Sequence, residues 1–423
     1  MTTTHRRWQN ILSVLTNRDF VLLWLGEGLA SLGIMTLRIT LVNLIYERTA
    51  SASGVSLLIL THTLAVIFVT PFAGVLVDRF DRKKWLIGIG ILRALIACIF
   101  VWTRAPWSIY LAHLALVTSS MLLTPAMSAA IPDIVEKDKL LDANALLLTL
   151  STVTMIVGPL LGGYVTDRLD LTWTVLLCGA LYLLGPLFIV LVRLPPSPVS
   201  HETISLRAVV GEFLEGLRYI RGSAAVSGLI AVVLLFQAGS SLSNSLSLPF
   251  AERVLLLRDP DLSPSIAYGY MRAAVSSGLL AGSLLVRYLG RRFAKKHVLL
   301  AGLGWIGLTT LALVWTRSLF LALVVQFVGG AGSGLFESLW STLLQENVEG
   351  DKLGRSFGLF MSTTSIFSAL TVYLGGWLAD RTSVLWVFAL SGVCVLLTAA
   401  GGGFLPGYRA IPARTQQSGA DTT

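Results

Sequence analysis

Glu27, Arg38, Arg93, Arg272 and Glu337 each interrupt a long apolar run in a 423-residue chain that is 54% hydrophobic and only 13% charged. An ionisable group at bilayer depth is costly, so such residues mark a substrate or proton pathway, or a paired structural site. A carboxylate held away from water binds a proton more readily and releases it when water returns, which is the chemistry of proton coupling. A guanidinium keeps its charge and serves instead to fix an anionic group or to neutralise an acid. Glu27 and Glu337 are therefore candidates for proton coupling, and Arg38 and Arg272 for a basic layer that suits an anionic group. Arg93 is the candidate for a structural ion pair.

Uncharged polar residues extend the set. Gln237, Ser240, Ser241 and Asn244 fall at i, i+3, i+4 and i+7, one face of a helix, among apolar neighbours such as Phe236, Leu242 and Phe250. A few polar anchors in a greasy wall suit an amphiphilic ligand. Trp340, one turn beyond Glu337, offers a ring on which a cation could stack, although a lipid-facing or interfacial place is commoner for such a tryptophan. His62 and His113 are single and mid-span, and read as packing residues.

The elements that must position these groups are bilayer-spanning helices. At about 1.5 Å per residue, a core of about 30 Å needs about 20 apolar residues. Such runs fall at 20–46, 53–77, 85–103, 107–130, 143–166, 173–192, 224–250, 265–286, 297–316, 318–344, 354–379 and 383–404. The expectation is an all-α integral membrane protein of twelve transmembrane helices, with both termini on one side. Most of the 32 lysines and arginines lie in the segments on that side, which is therefore predicted to be cytoplasmic. Position converts to depth: Glu27, Arg93 and Glu337 lie about 10–12 Å from the cytoplasmic ends of their spans, Arg38 and Arg272 about 12 Å from the external ends. Glu27 and Arg38 share a helix face but sit about 16 Å apart, too far to pair directly.

Several function classes drop out. A net charge of +9 would suggest nucleic acid for a soluble protein, but here it follows from Lys and Arg retained at the cytoplasmic face. The three cysteines, Cys98, Cys178 and Cys394, lie in apolar runs and give neither a disulfide framework nor a metal site. No GxxxxGK[ST], GxSxG or HExxH pattern occurs, so neither local ATP use nor catalysis is expected, and no cofactor. GGAGSG (329–334) lies inside a span, where glycines permit helix contact. The opening stretch MTTTHRRWQNILSVLTNRD runs into the first span without a small-residue cleavage site, so that span is expected to be retained.

An internal repeat divides the chain. IPDIVEKDKLLDANALL (131–147) aligns without gaps to LQENVEGDKLGRSFGLF (344–360), and GGYVTDR (162–168) to GGWLADR (375–381), both at an offset of 213 residues. GVLVDR (74–79) also resembles GSLLVR (282–287). Matching segments occupy matching sides, so the repeats are parallel: two six-helix bundles, 20–192 and 224–404. Around them are expected a cytoplasmic segment 1–19, a linker 193–223 with an amphipathic helix, and a disordered tail 405–423.

These features resemble the major facilitator superfamily from about residue 15 to residue 404. Its signature between the second and third helices is matched by Gly74, Asp78, Arg79, Arg82 and Lys83, with Asp81 where glycine is commoner. The resemblance implies that Gly74, Asp78, Arg79 and Arg82 form a cytoplasmic gate, one-sided because Val286 replaces the aspartate in the second copy. GPLLGG (158–163), with Gly158, Pro159, Gly162 and Gly163, looks like the fifth-helix signature of proton-coupled antiporters, while Gly158 and Gly162 also form a packing face and Pro159 a kink. PAMSAAIPDIV followed by DANAL (125–146) is similar to the branch of macrolide and siderophore exporters, which often has Gln where this chain has Glu27 and lacks Arg38. In the superfamily, helices 1, 4, 7 and 10 line the central cavity, which places Glu27 and Glu337 beside it.

The expected function is export of small amphiphilic compounds by alternating access, with proton antiport, from a monomer in the cell membrane. A dedicated carrier of an endogenous metabolite, such as a siderophore or lysophospholipid, is the alternative within transport. A non-transporting membrane sensor is the alternative outside it.

Overall fold

The computed structural model describes residues 13–77, 79–103, 105–195, 222–257, 261–348 and 353–411. Among the described residues there are twelve helices of 18 residues or more and no strand. They are α1 (Arg18–Thr49), α2 (Ala52–Val77), α3 (Arg82–Ile99), α4 (Pro106–Ile134), α5 (Leu140–Arg168) and α6 (Leu171–Leu191). Then follow α7 (Ala224–Ser241), α8 (Pro264–Arg292), α9 (Lys295–Ala312), α10 (Leu319–Asn347), α11 (Leu353–Arg381) and α12 (Val384–Gly402). Ten of the described helices are long and apolar enough to cross a membrane. The 18-residue α3 falls outside that set because it carries Arg82, Lys83, Lys84 and Arg93.

Helix starts follow local chemistry. The Asn17 side chain accepts from the amides of Asp19 and Phe20 at 3.0 and 3.2 Å and opens α1. Asp81 accepts from the Lys84 amide at 2.9 Å and caps α3, which accounts for an aspartate where the family pattern has glycine. Asp170 and Ser383, related by the offset of 213, cap α6 and α12 by accepting from the amides of Trp173 and Trp386.

The chain divides into two compact units, Met1–Ser205 with Asp259–Ala273, and Leu206–Arg258 with Ala274–Thr423. In the first, α1 packs on α5 and α6, α3 on α4 and α6, and α2 on α4. In the second, the equivalent pairs recur: α7 with α11 and α12, and α9 with α10 and α12. Leu23, Val77, Leu86, Leu123 and Ile189 centre one core cluster, and Leu229, Val233, Leu299, Leu339 and Val395 belong to another. The first residues of α8 belong to the first unit because Gly163 admits them. A Cβ at Gly163 would stand 2.7 Å from the Ser265 carbonyl and 3.3 Å from Gly269 Cα, and Ser265 Oγ donates to Asn43 Oδ1 at 2.8 Å.

Two features depart from the sequence expectation, and the glycine run between them matches it. The seventh helix, expected through residue 250, ends at Ser241 and resumes as a short helix at Ser247–Phe250 and a π-helical turn at Ala251–Leu255. Pro249 supplies no amide to the preceding turn, and Gly375 of α11 packs against the Leu242 backbone where the helix opens. GGAGSG lies within α10, where Cβ atoms at Gly330 and Gly334 would collide with the carbonyls of Val275 and Leu279, so the glycines serve helix contact. Residues 405–411, expected to begin a disordered tail, instead close the second unit. Tyr408 and Ile411 are buried, the Tyr408 hydroxyl donates to the Lys296 carbonyl at 2.7 Å, and Lys296 Nζ donates to the Ile411 carbonyl at 2.7 Å. Tyr408→Phe is expected to cost about 1 kcal/mol, the net worth of one such bond, read as a lower melting temperature of the purified protein. The linker helix expected at 206–220 lies outside the described residues, as do residues 412–423.

Candidate functional site

The charged loop between α2 and α3 is built from the start of α3. Arg82 Nη1 pairs with the Asp133 carboxylate near the end of α4 and donates to the Ala129 carbonyl at 3.1 Å. Lys83 Nζ donates to the carbonyls of Val190 and Val192 at 2.9 and 2.8 Å, closing the end of α6. The second unit repeats the ion pair at the offset of 213, Lys295 with Glu346, and Lys296, at the same offset from Lys83, donates to the Ile411 carbonyl in the segment after α12. Each dibasic pair thus ties the third helix of its unit to the fourth and to the end of the sixth or the segment after it. Gly74 lies in α2 and Arg79 in the exposed turn that follows, while Asp78 lies outside the described residues. Asp133 was not singled out by the sequence. The repeat held the signal, since it aligns Asp133 with Glu346 and basic residues with basic residues at 82 and 295.

Within the first unit, Glu27 sits on α1 one turn before Ser31, whose Oγ donates to Glu27 Oε1 at 3.3 Å. Arg93 on α3 is 3% exposed, and its guanidinium lies over the Tyr182 ring, 4.8 Å from the centroid. It exerts its field on Glu27 without forming a contact ion pair among the described residues, and its Nε and Nη2 have no hydrogen-bond partner there. The sequence expected a neutralising pair; Arg93 instead takes a cation–π seat. Three turns along α1, Arg38 borders a cavity of about 120 Å³ together with His62, His113, Ser120 and Tyr182 and apolar groups of α1, α2 and α4. Arg272 and Tyr268 of α8 lie within electrostatic range of Arg38. Of the basic layer inferred from depth, Arg38 lines this cavity. The two histidines belong to it, although no sequence pattern connects them to Arg38.

Within the second unit, Glu337 Oε2 accepts from Trp340 Nε1 at 2.9 Å. Trp340 is 4% exposed and packed in the core with Phe236, Leu339 and Leu344, so its ring is neither an open stacking surface nor interfacial. Its apolar body is held by the core while its one donor meets the carboxylate. Gln237 is half-buried on α7, but Asn244 falls in the exposed turn after the helix ends and does not continue its face. Ser241 Oγ is engaged with Ser368 Oγ of α11 at 2.9 Å, which turns part of the polar stripe into a helix-to-helix contact.

In α5, Gly158 and Gly162 pack on α1. A Cβ at Gly162 would stand 2.9 Å from that of Ile39 and 3.0 Å from Thr36 Cα, and one at Gly158 would overlap the Met35 side chain. Thr40 and Thr166 continue the seam with their hydroxyls 2.8 Å apart. Pro159 and Gly163 lie in the same helix, buried.

Twelve long helices among the described residues, in two units with repeated internal contacts, define a polytopic membrane protein. The family model described as Major Facilitator Superfamily matches residues 23–271 and 238–420, and this chain belongs to that superfamily. It is 23% identical over 387 residues to macrolide efflux protein A of Streptococcus pyogenes, covering 90% of this chain and 94% of that protein. It is 26% identical over 381 residues to the enterobactin exporter EntS of Escherichia coli, covering 84% of each. Among solved structures, a variant of the nucleoside transporter NupG has the same fold, with a TM-score of 0.75 at 13% identity, covering 92% of this chain and 98% of that one.

Proposed function

We propose that this transporter exports small amphiphilic compounds, drug-like molecules of the macrolide type among them, by alternating access in exchange for protons. The observation that supports coupling is the state of the two acids: Glu27 and Glu337 each sit within a long apolar helix, and neither forms an ion pair among the described residues. Their recorded partners are a serine hydroxyl and an indole N–H, groups compatible with either the charged or the protonated carboxyl. A carboxylate within a membrane-spanning helix and without a contact ion pair is suited to take up a proton, and that is what an antiporter needs. The exporter names of two relatives support the direction of transport.

The protein works as a monomer with both termini in the cytoplasm, and Asp78 with Arg82 contributes to the gate on that side. The test is a flux assay with purified protein in vesicles carrying an imposed pH gradient, using a radiolabelled macrolide and a cationic dye as probes. Substrate-dependent proton movement supports the antiporter. Uptake of one acidic metabolite alone supports a dedicated carrier, a reading favoured by Arg38 at a cavity wall. Binding without flux supports a sensor. In the same assay Asp78→Asn is expected to slow turnover several-fold at unchanged membrane insertion; full activity removes Asp78 from the gate.

A further inference from the structure

We infer that the cavity beside Arg38 is a headgroup subsite, which takes the acidic end of an amphiphile whose anionic oxygen meets Arg38 and whose O–H or N–H meets His113. The inference rests on the reading of this chain as an amphiphile transporter and names the substrate chemistry.

The first argument is the charge balance around Arg38. Among the described residues its guanidinium forms no ion pair or hydrogen bond, and the groups recorded as acting on its charge are Arg272 and Tyr268. His62 and His113 share the cavity wall with Arg38, and among the described residues that line it there is no carboxylate. A guanidinium without an ion pair, at a cavity wall in a helix of membrane-spanning length, is a costly positive charge. An anion that enters relieves it.

The second argument comes from hydrogen positions. Thr61 Oγ1 donates to the Leu58 carbonyl at 2.7 Å, so its only proton is committed. The same oxygen lies 2.6 Å from His113 Nδ1, which must therefore carry a hydrogen and donate to it. The neutral ring is then left with Nε2 as a bare acceptor. An imidazole fixed in this tautomer by a second hydrogen bond is a directed acceptor for a ligand donor. The Tyr182 hydroxyl adds a further polar atom at the wall, buried and without a partner of hydrogen-bond geometry.

The third argument is size. About 120 Å³ accepts a carboxylate, sulfonate or phosphate monoester with a few carbons. Whole drug-sized ligands need roughly 300–1,000 Å³. The remaining walls, Leu37, Leu41, Leu58, Leu116 and Val117, are apolar and suit the first carbons behind the head.

The experiment uses the full chain in nanodiscs of zwitterionic lipid and three fluorescent probes sharing one ring system: N-dansylglycine (anionic), dansylamide (neutral) and dansylcadaverine (cationic). N-dansylglycine is expected to bind at least tenfold more tightly than dansylcadaverine. Arg38→Gln is expected to abolish that preference, and Arg38→Lys to restore part of it. Equal affinities in the unmodified protein, or a preference that survives Arg38→Gln, overturns the inference. Should Arg38→Gln not fold, competition on the unmodified protein decides: hexanesulfonate displaces N-dansylglycine and hexylammonium does not, and the reverse order overturns the subsite. Proton-driven dye flux without anion preference leaves the transporter reading standing and removes the subsite. Anion preference lost in Arg38→Gln, with no flux of any probe, does the opposite.

Discussion

Efflux driven by a pH gradient is expected to fall to the level of protein-free vesicles when Glu27 and Glu337 are both replaced by glutamine. Glutamine keeps the shape and the capacity to accept from Ser31 Oγ or Trp340 Nε1, but it cannot exchange a proton. The substitution therefore separates titration from packing. The two single variants rank the acids. Glu27 lies in a first-unit helix near the buried Arg93, whereas Glu337 on α10 is exposed and accepts from one indole donor. Glu337→Gln alone is accordingly expected to cause the larger loss. Exchange of labelled for unlabelled substrate across the bilayer needs no net proton movement and should persist in the double variant, which shows that the protein is folded and still binds. Undiminished uphill efflux in the double variant would place coupling elsewhere.

The helices were legible in the sequence because each is a long apolar run bounded by charge or by a capping residue, and the bilayer demands such runs. The repeat was legible as well, and the structure gives it physical content: the pairs Arg82–Asp133 and Lys295–Glu346 lie at the same offset as the aligned segments. So do the guanidinium stacks of Arg168 on Tyr164 and Arg381 on Trp377. What escaped the sequence were features set by tertiary neighbours. The break after Ser241 needs Pro249 together with the close approach of Gly375, and an apolar run gives no sign of either. Tyr408 and Ile411 lie in a segment too short for a periodic pattern, so their burial against α7 and α9 could not be anticipated. As a single mid-span histidine His113 reads as a satisfied packing residue, and its bond to Thr61 agrees with that. Its place beside Arg38 emerges only when α1, α2 and α4 are brought together.

Gly158→Val is expected to lower the stability of the first unit by about 1–3 kcal/mol, the usual cost of forcing extra carbons into a packed contact. The same variant should reduce the yield of folded protein after detergent extraction. The seam between α1 and α5 leaves no room, since a Cβ at position 158 would overlap Met35, and position 162 is hemmed in by Ile39 and by the Thr36 backbone. In a bilayer, helix association depends on close approach rather than on the hydrophobic effect, so opening this seam is not offset by burial elsewhere. Gly163→Ala probes the opposite face of the same helix, where the added methyl meets the backbone of Ser265, Ile266 and Gly269. Two readings of the GPLLGG run then give different outcomes in one pair of measurements. If its glycines act through packing, melting temperature and transport fall together in both variants. If the run serves coupling as such, Gly158→Ala, the smallest possible insertion, leaves melting unchanged while proton-driven efflux is lost. The geometry favours the first outcome, because the contact is already closer than a single carbon allows.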